Sequence, residues 1–541
     1  MCAGAATAGA QATRCDTLHS EVTLGALSGQ RIDSVLVATT APSLGKLGRM
    51  VARLHVRTRE NVVRRELLFA AGDTVDTLAV AESLRRLRAL AFLAHAQIEA
   101  RQCSSAVGHA LALTVVTRDS WTTRPDLKTG SGSRIGVTER NLLGTGRTVS
   151  LDLVPHHGSI GGGVTVFDGF GFGTGVSSRA QYQRYTDGSM RALLFSRRQA
   201  TLSDAWRASL DISDQEHEPR APFSDNFERT SAELIAGVRV TPKRSPSAVY
   251  VLGGFATAHG SLVAAPNADI LGPTRIDRHF TGPELGAAIV AARYDTLTWL
   301  FDSGAVVDVP RSLEGEIVVG VGSGKVSVQD PTTPVDDARS NFMTHYDGWL
   351  GQEWLPTRRS RVVSDLWLGG YSRAGEWSSS HLRVAVTTEH AASKGVWRMT
   401  AAAERLKDPD PDVRALDIYD RALGFVPQRA RLAESALAMS VERTRHLHSI
   451  GGSLELDGSL FGALSKRWDP SPGSSNQEDV SVGLIGVGLS FSPRRAGRAT
   501  LRFDYGVPLV ATVGVKRAPR LNITLLPWLE TGRHRDRNGS F

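Results

Sequence analysis

The sequence predicts a mainly β protein: a transmembrane β-barrel of about 16 antiparallel strands, preceded by one small α+β domain. From about residue 131 onward, apolar and polar residues alternate in short runs separated by Gly, Asp, Pro and Ser, whereas the preceding residues include runs with helical spacing. About 410 residues, at about 26 per strand and connection, give the strand number. The 541-residue chain contains no apolar run near the roughly 20 residues that a membrane-spanning helix needs.

The N-terminal residues are predicted to precede the folded part of the chain. Residues 1–12 are mostly small and resemble the end of a signal peptide, although the basic and apolar regions of such a peptide are missing. We interpret 1–12 as a signal-peptide remnant and 13–29 as an extension. Cys15 and Cys103 flank the next domain, so they form a disulfide if the compartment is oxidising and are free thiols otherwise.

Residues 30–120 are predicted to form the small α+β domain. A strand-like run begins it, and two segments with apolar residues at helical spacing follow. Asp76 or Thr77 is suited to cap the second helix. The predicted order is β-α-α-β-β, with a strand at 31–38, helices at 58–69 and 78–93, and strands at 96–103 and 110–116.

The alternation that predicts the barrel is clear near the C-terminus. Leu501, Phe503 and Tyr505 point to one face of a strand, and Arg502 and Asp504 point to the other. In a membrane barrel the apolar face meets lipid and the polar face lines the lumen, so Asp504 is predicted to face the lumen. A soluble sandwich shows the same alternation but does not need so many strands. We divide this part of the chain into a linker at 121–132, the barrel at 133–530 and a tail at 531–541.

Several motifs along the chain are similar to those of one known family. The run from Gly136 to Leu153 joins two alternating strands through a Gly/Asn turn. The helices of the small domain and the last hairpin carry further motifs: Arg59-Glu60, 63–67, Gly72-Asp73, 82–90, 482–491 and 498–509. Together they resemble the BamA/TamA superfamily of outer-membrane assembly and translocation barrels. The small domain resembles a single polypeptide-transport-associated (POTRA) domain.

The resemblance implies a protein of the bacterial outer membrane, with the POTRA domain in the periplasm, that inserts or translocates other polypeptides. The domain would capture an extended client by backbone pairing. The first barrel strand, 133–139, would separate from the last, 521–526, and their unpaired backbone groups would receive a client strand. The predicted seam residues are Ile135, Val137, Glu139, Leu521, Ile523 and Leu525.

Partners follow from the same resemblance. They are unfolded outer-membrane or secreted polypeptides, outer-membrane lipid, and periplasmic or lipoprotein accessory factors. Two other functions fit the architecture: a secretion pore that exports a partner polypeptide, and a structural surface barrel without transport activity. Conductance in planar bilayers distinguishes a pore from an inert barrel.

The resemblance also implies an inward-folded lid loop. Its motif residues are Leu423, Gly424, Phe425 and Pro427, and the strand that follows carries a lumen-facing acid, Glu442. The family has an arginine at the position of Leu423. We therefore expect packing of Phe425 and Pro427, rather than an ion pair, to hold the lid.

A second departure accompanies the first. The family has an aspartate after the aromatic residue of the next strand, whereas here Gly462 follows Phe461. Buried acids without their arginine are costly, as is a buried arginine without acids. The loss of both groups therefore keeps the lumen electrostatically neutral.

Enzyme activity, cofactors, metals and nucleic acid are not predicted. The run Gly320 to Lys325 is similar to a phosphate loop, but Val319 and Val326 replace the residues that such a loop requires. The sequence has no Gly-x-Ser-x-Gly elbow and no helical pair of metal-binding histidines. The net charge is +8, but the 63 Lys and Arg are spread along the chain together with 55 acids, unlike a nucleic-acid-binding patch.

Overall fold

The computed structural model divides into two compact units. One contains residues 1–122 with 143–146, and the other contains residues 123–142 with 147–541. The structure describes residues 27–41, 56–105, 108–128, 134–156, 159–169, 176–185, 188–197, 204–217, 226–242, 245, 247–264, 274–297, 307–329, 341–373, 376–393, 395–407, 435–450, 454–468, 480–493, 499–512 and 518–527.

The first unit contains a three-stranded sheet and two helices. In chain order its elements are β1 (Ser34–Thr40), α1 (Glu60–Arg64), α2 (Thr77–Ala89), β2 (Leu93–Ser105) and β3 (Gly108–Asp119). The sheet order is β1-β3-β2, with β1 parallel and β2 antiparallel to β3. The predicted α+β order, β-α-α-β-β, is confirmed.

Local hydrogen bonds explain where the helices begin and end. The carboxylate of Asp76 accepts a hydrogen bond of 2.9 Å from the backbone N–H of Leu78, so Asp76 caps α2. The first helix is shorter than the predicted 58–69. It ends at Arg64, and the backbone N–H of Leu68 instead donates to the hydroxyl of Ser83 on α2, at 2.8 Å.

In its described residues, the second unit is a closed antiparallel barrel of 20 strands. In chain order the strands are β4 (Thr123–Lys128), β5 (Arg134–Glu139), β6 (Arg147–His156), β7 (Ser159–Asp168), β8 (Ser177–Tyr185), β9 (Gly188–Arg197), β10 (Trp206–His217), β11 (Asn226–Arg239), β12 (Ser247–Ala264), β13 (Thr274–Leu297), β14 (Val307–Gln329), β15 (Asn341–Thr357), β16 (Ser360–Arg373), β17 (Glu376–Ala392), β18 (Gly395–Lys407), β19 (Ser435–Ile450), β20 (Leu454–Trp468), β21 (Val480–Pro493), β22 (Ala499–Ala511) and β23 (Arg520–Pro527).

The barrel confirms the predicted fold class, but its strand number is 20 rather than about 16. The estimate used a uniform length per strand, whereas the hairpins from β6 to β9 are compact. Only two residues separate His156 from Ser159, and two separate Tyr185 from Gly188. In addition, β4 lies inside the predicted linker 121–132, so this segment belongs to the barrel sheet.

Inward and outward positions alternate along the barrel strands. On β20, Phe461 and Ala463 are buried, whereas Leu460 and Leu464 are 64% and 46% exposed. The exposed residues face away from the lumen and form an apolar outer surface. Because side-chain direction depends only on residue parity, buried charged residues on the inward positions line the lumen.

The turn between β5 and β6 requires glycine. Leu143 to Gly146 group with the first unit, and the carbonyl of Gly144 accepts a hydrogen bond of 2.9 Å from the N–H of Arg59. Gly144 has a φ of +73°, and a Cβ there would collide with the carbonyl oxygen of Arg57. A side chain at this position would therefore be strained.

Candidate functional site

Seven charged side chains on the lumen face form one chain of alternating sign, which we call the charge ladder. It runs over the wall from β15 to β22. Its members are Glu353, Arg361, Glu389, Arg398, Glu442, Arg502 and Asp504.

The ladder begins with an arginine between two buried acids. Nε of Arg361 lies 2.6 Å from a carboxylate oxygen of Glu353, and its Nη1 lies 3.0 Å from one of Glu389. Arg398 donates to the other oxygen of Glu389, with its Nη2 at 2.7 Å. The side chains of Glu353, Arg361 and Glu389 are all at most 6% exposed. Each buried charge therefore depends on a partner from a neighbouring strand.

Arg502 joins the two predicted lumen-facing acids at the other end of the ladder. Its Nη2 lies 2.5 Å from Oε1 of Glu442, and its Nε lies 2.7 Å from Oδ2 of Asp504. Nη1 of Arg398 lies 4.0 Å from the second oxygen of Glu442, which connects the two halves of the ladder. The structure thus brings Glu442 and Asp504 together through one guanidinium.

A glycine allows Arg502 to reach across the wall. Arg502 is on β22 and Glu442 is on β19, so β20 and β21 lie between them. Gly488 on β21 pairs with Asp504 on one side and Ser459 on the other. A Cβ at Gly488 would lie 3.3 Å from Nη2 of Arg502, which also donates to the hydroxyl of Ser459 at 3.1 Å. A larger residue on β21 would therefore obstruct the path.

The sequence predicted Glu442 as a lumen-facing acid but predicted no counter-ion for it. The strand wall itself supplies the counter-ion of Glu442, because Arg502 is 9% exposed and bonds directly to it. Gly462 has the opposite parity from the buried Phe461, so an aspartate there would face away from the lumen. The lid-motif residues Leu423, Gly424, Phe425 and Pro427 lie outside the described residues.

The barrel closes at a different pair of strands from the predicted seam. Strand β4 lies between β5 and β23, and Thr524 opposite Lys128 is the single described register pair across the β23–β4 closure. The predicted seam residues pair elsewhere. Ile135, Val137 and Glu139 pair with Leu127, Pro125 and Thr123 on β4, and Leu521, Ile523 and Leu525 pair with Tyr505, Phe503 and Leu501 on β22.

The described backbone pairing across this closure is short, with one register pair. By contrast, β22 and β23 pair over their whole overlap from Ala499 to Gly506. Among the described strands, β23 is therefore the neighbour of β4 rather than of β5.

Other predicted features have different outcomes. Cys103 lies on β2, opposite Ala110, but Cys15 is outside the described residues, so the disulfide stays a prediction. The described ranges contain no group of three His, Cys, Asp or Glu placed to hold a metal ion. No helix in the same ranges is both long and apolar enough to cross a membrane.

Sequence reasoning missed Glu353, Arg361, Glu389 and Arg398. Each is a charged residue at an inward position of a strand, which parity alone could have indicated. The sequence also contains a sign that Arg502 can extend across the wall, because residue 488 on the intervening strand β21 is a glycine.

No protein-family model matches the sequence, and no curated protein sequence matches it. Among solved structures, BamA from Haemophilus ducreyi lacking POTRA domains 1–3 is similar at 12% identity and a TM-score of 0.37, over 92% of this chain and 84% of that one. CdiB from Acinetobacter baumannii is similar at 12% identity and a TM-score of 0.39, over 92% and 74% of the two chains. CdiB from Escherichia coli is similar at 11% identity and a TM-score of 0.38, over 91% of this chain and 76% of that one. With TM-scores this low, the fold assignment rests on the strand pairing above.

Proposed function

We propose that this chain is a BamA/TamA-type barrel of the bacterial outer membrane that inserts or translocates other polypeptides, with its single POTRA domain in the periplasm. Two features support the proposal: the motifs of the β5–β6 hairpin and the small domain, and the order of a three-stranded α+β domain followed by a closed barrel. The observation that carries it is the contrast between the β23–β4 closure and the rest of the wall.

The proposed mechanism begins with capture of an extended client. In the small domain, β1 and β2 are the outer strands of the sheet, so each has one edge that the sheet leaves unpaired. Unpaired N–H and C=O groups at such an edge can bind an extended peptide as an added strand. Periplasmic or lipoprotein accessory factors would deliver the client to this domain.

The barrel would then open where its strands are joined least. Separation of β4 from β23 breaks the pairing at Thr524 and Lys128, whereas separation at β22–β23 would break an eight-residue ladder. Unpaired backbone groups are expensive in lipid, so an open seam would template a client strand. The charge ladder would keep the wall from β15 to β22 closed while this happens.

A disulfide across the seam tests the mechanism. In a background with Cys2, Cys15 and Cys103 replaced by serine, Lys128→Cys with Thr524→Cys joins the two register partners. We expect the oxidised protein to lose client insertion in proteoliposomes and to regain it after reduction.

A neighbouring disulfide provides the matched control. Tyr505→Cys with Leu521→Cys joins β22 to β23, beside the seam but not across it. This variant should insert clients equally well when oxidised and reduced. Full activity of the oxidised 128–524 variant would show that the seam does not open. A large conductance without any insertion would instead favour the secretion pore.

A further inference from the structure

The side chains around Glu284 on the lumen face, which we call the Glu284 recess, have the chemistry of a cation-binding site. Glu284 lies on β13 and is 1% exposed. Its Oε1 lies 2.9 Å from Nδ1 of His345 on β15. Its Oε2 is buried and has no hydrogen-bond partner among the residues that the structure describes. A buried carboxylate oxygen without a donor is costly, and a bound cation would remove that cost.

Glycines on both neighbouring strands leave the positions beside Glu284 without side chains. Its register partners are Gly254 on β12 and Gly320 on β14. A Cβ at Gly320 would lie 3.1 Å from Cγ of Glu284 and 3.1 Å from Cζ of Phe280. The carboxylate of Glu284 therefore reaches past Gly320 to His345, two strands away.

Three rings border the recess. The centroids of His345 and Tyr371 are 4.9 Å apart, those of Phe280 and His345 are 5.6 Å apart, and those of Phe280 and Tyr371 are 5.9 Å apart. The face of an aromatic ring attracts a cation, and this attraction is largest where water is excluded. Aromatic rings beside a carboxylate thus suit an ammonium group.

Acids outnumber arginines among the buried charged residues of the barrel. Among its described residues, ten carboxylates but only three guanidinium groups are buried, although the whole chain has a net charge of +8. The buried acids are Asp152, Asp168, Glu284, Glu316, Glu353, Glu389, Glu404, Glu442, Glu455 and Asp457, and the buried arginines are Arg361, Arg467 and Arg502. Several of these acids pair with half-buried arginines, such as Glu316 with Arg207, whereas Oε2 of Glu284 has no partner among the described residues.

We propose that the Glu284 recess binds the ammonium group of a lysine side chain on a polypeptide inside the lumen. An ammonium group has three donors and no acceptor, so it can donate to Oε2 of Glu284 while its charge faces the rings. The choice of a polypeptide as the source of the ammonium group rests on the proposed function. The recess would favour lysine-containing segments over acidic ones.

Binding of a labelled octalysine peptide to the full-length protein in lipid nanodiscs tests the proposal, with octaglutamate as the control peptide. We expect octalysine to bind and octaglutamate not to bind, as measured by fluorescence anisotropy at low salt. Glu284→Gln should lower the affinity for octalysine about tenfold, because it removes a charge-assisted hydrogen bond. The substituted amide keeps a carbonyl that accepts from His345, so the barrel should fold.

Glu314→Gln is the matched control, because Glu314 lies on the same face of β14 as the buried Glu316 and its loss changes the net charge equally. This variant should change the affinity less than about twofold, since screening weakens charges that do not touch the ligand. An equal loss of octalysine affinity in the two variants would contradict the proposal and indicate that the overall electrostatic field of the lumen binds the peptide. An unchanged octalysine affinity of Glu284→Gln would also contradict the proposal and would indicate that water binds Oε2 of Glu284.

A second variant keeps the test decisive if Glu284→Gln fails to fold. Tyr371→Leu should weaken octalysine binding about threefold by removing one ring, and an unchanged affinity would contradict the proposal. The same preparations should be assayed for client insertion. If the protein inserts clients but Glu284→Gln binds octalysine as well as the unaltered protein, the recess proposal alone is refuted. If Glu284→Gln weakens octalysine binding but the unaltered protein inserts no client, the proposed function alone is refuted.

Discussion

The wall from β15 to β22 and the closure between β23 and β4 differ in what joins their strands. In the wall, buried ion pairs of the charge ladder reinforce the backbone pairing between strands, and Arg361 joins acids from two other strands. At the closure, one described register pair joins β23 to β4. A barrel with one reinforced side and one weak junction can open at a defined place without coming apart.

The largest expected effect comes from removing the centre of the ladder. Arg361→Met should lower the free energy of unfolding by about 3–5 kcal/mol, because Glu353 and Glu389 would remain buried without that partner. Urea titration of the folded barrel, followed by its heat-modifiable migration on gels, measures the change.

An exposed ion pair of the same barrel is the control. Arg311 and Asp295 are 2.9 Å apart, with side chains 53% and 48% exposed. Arg311→Met should cost less than about 1 kcal/mol, because solvent already screens this pair. Similar losses in the two variants would mean that the ladder does not reinforce the wall.

A smaller effect is expected for the coupling at the far end of the ladder. Arg502→Met, Glu442→Gln and the double variant form a cycle that should yield a coupling energy of about 2 kcal/mol, because the two groups share a buried ion pair. The same urea titrations provide the four values. A coupling energy near zero would show that Arg502 and Glu442 are stabilised independently.

Residue parity explains why part of the site was predictable. The inward direction of Asp504 follows from its alternation with Phe503 and Tyr505, and this requires no knowledge of neighbouring strands. The pairing of Arg502 with Glu442 was not predictable, because the two residues are 60 positions apart and the register of three hairpins decides their distance.

The closure between β4 and β23 shows where prediction from local sequence fails. The sequence predicts a linker at 121–132, and Pro125 and Asp126 within it are residue types unfavourable in strands. Its strand structure depends on pairing with β5, from Thr123 opposite Glu139 to Lys128 opposite Arg134. Local preference therefore predicted a loop, and tertiary pairing produced the strand that closes the barrel.

Amide hydrogen exchange of the full-length protein in nanodiscs tests the central claim most directly. If the closure is the weak junction, the amides of β4 and β23 should exchange at least about tenfold faster than those of β17 and β18, because local opening requires less free energy there. Equal protection of the two regions, or faster exchange in β17 and β18, would contradict the account.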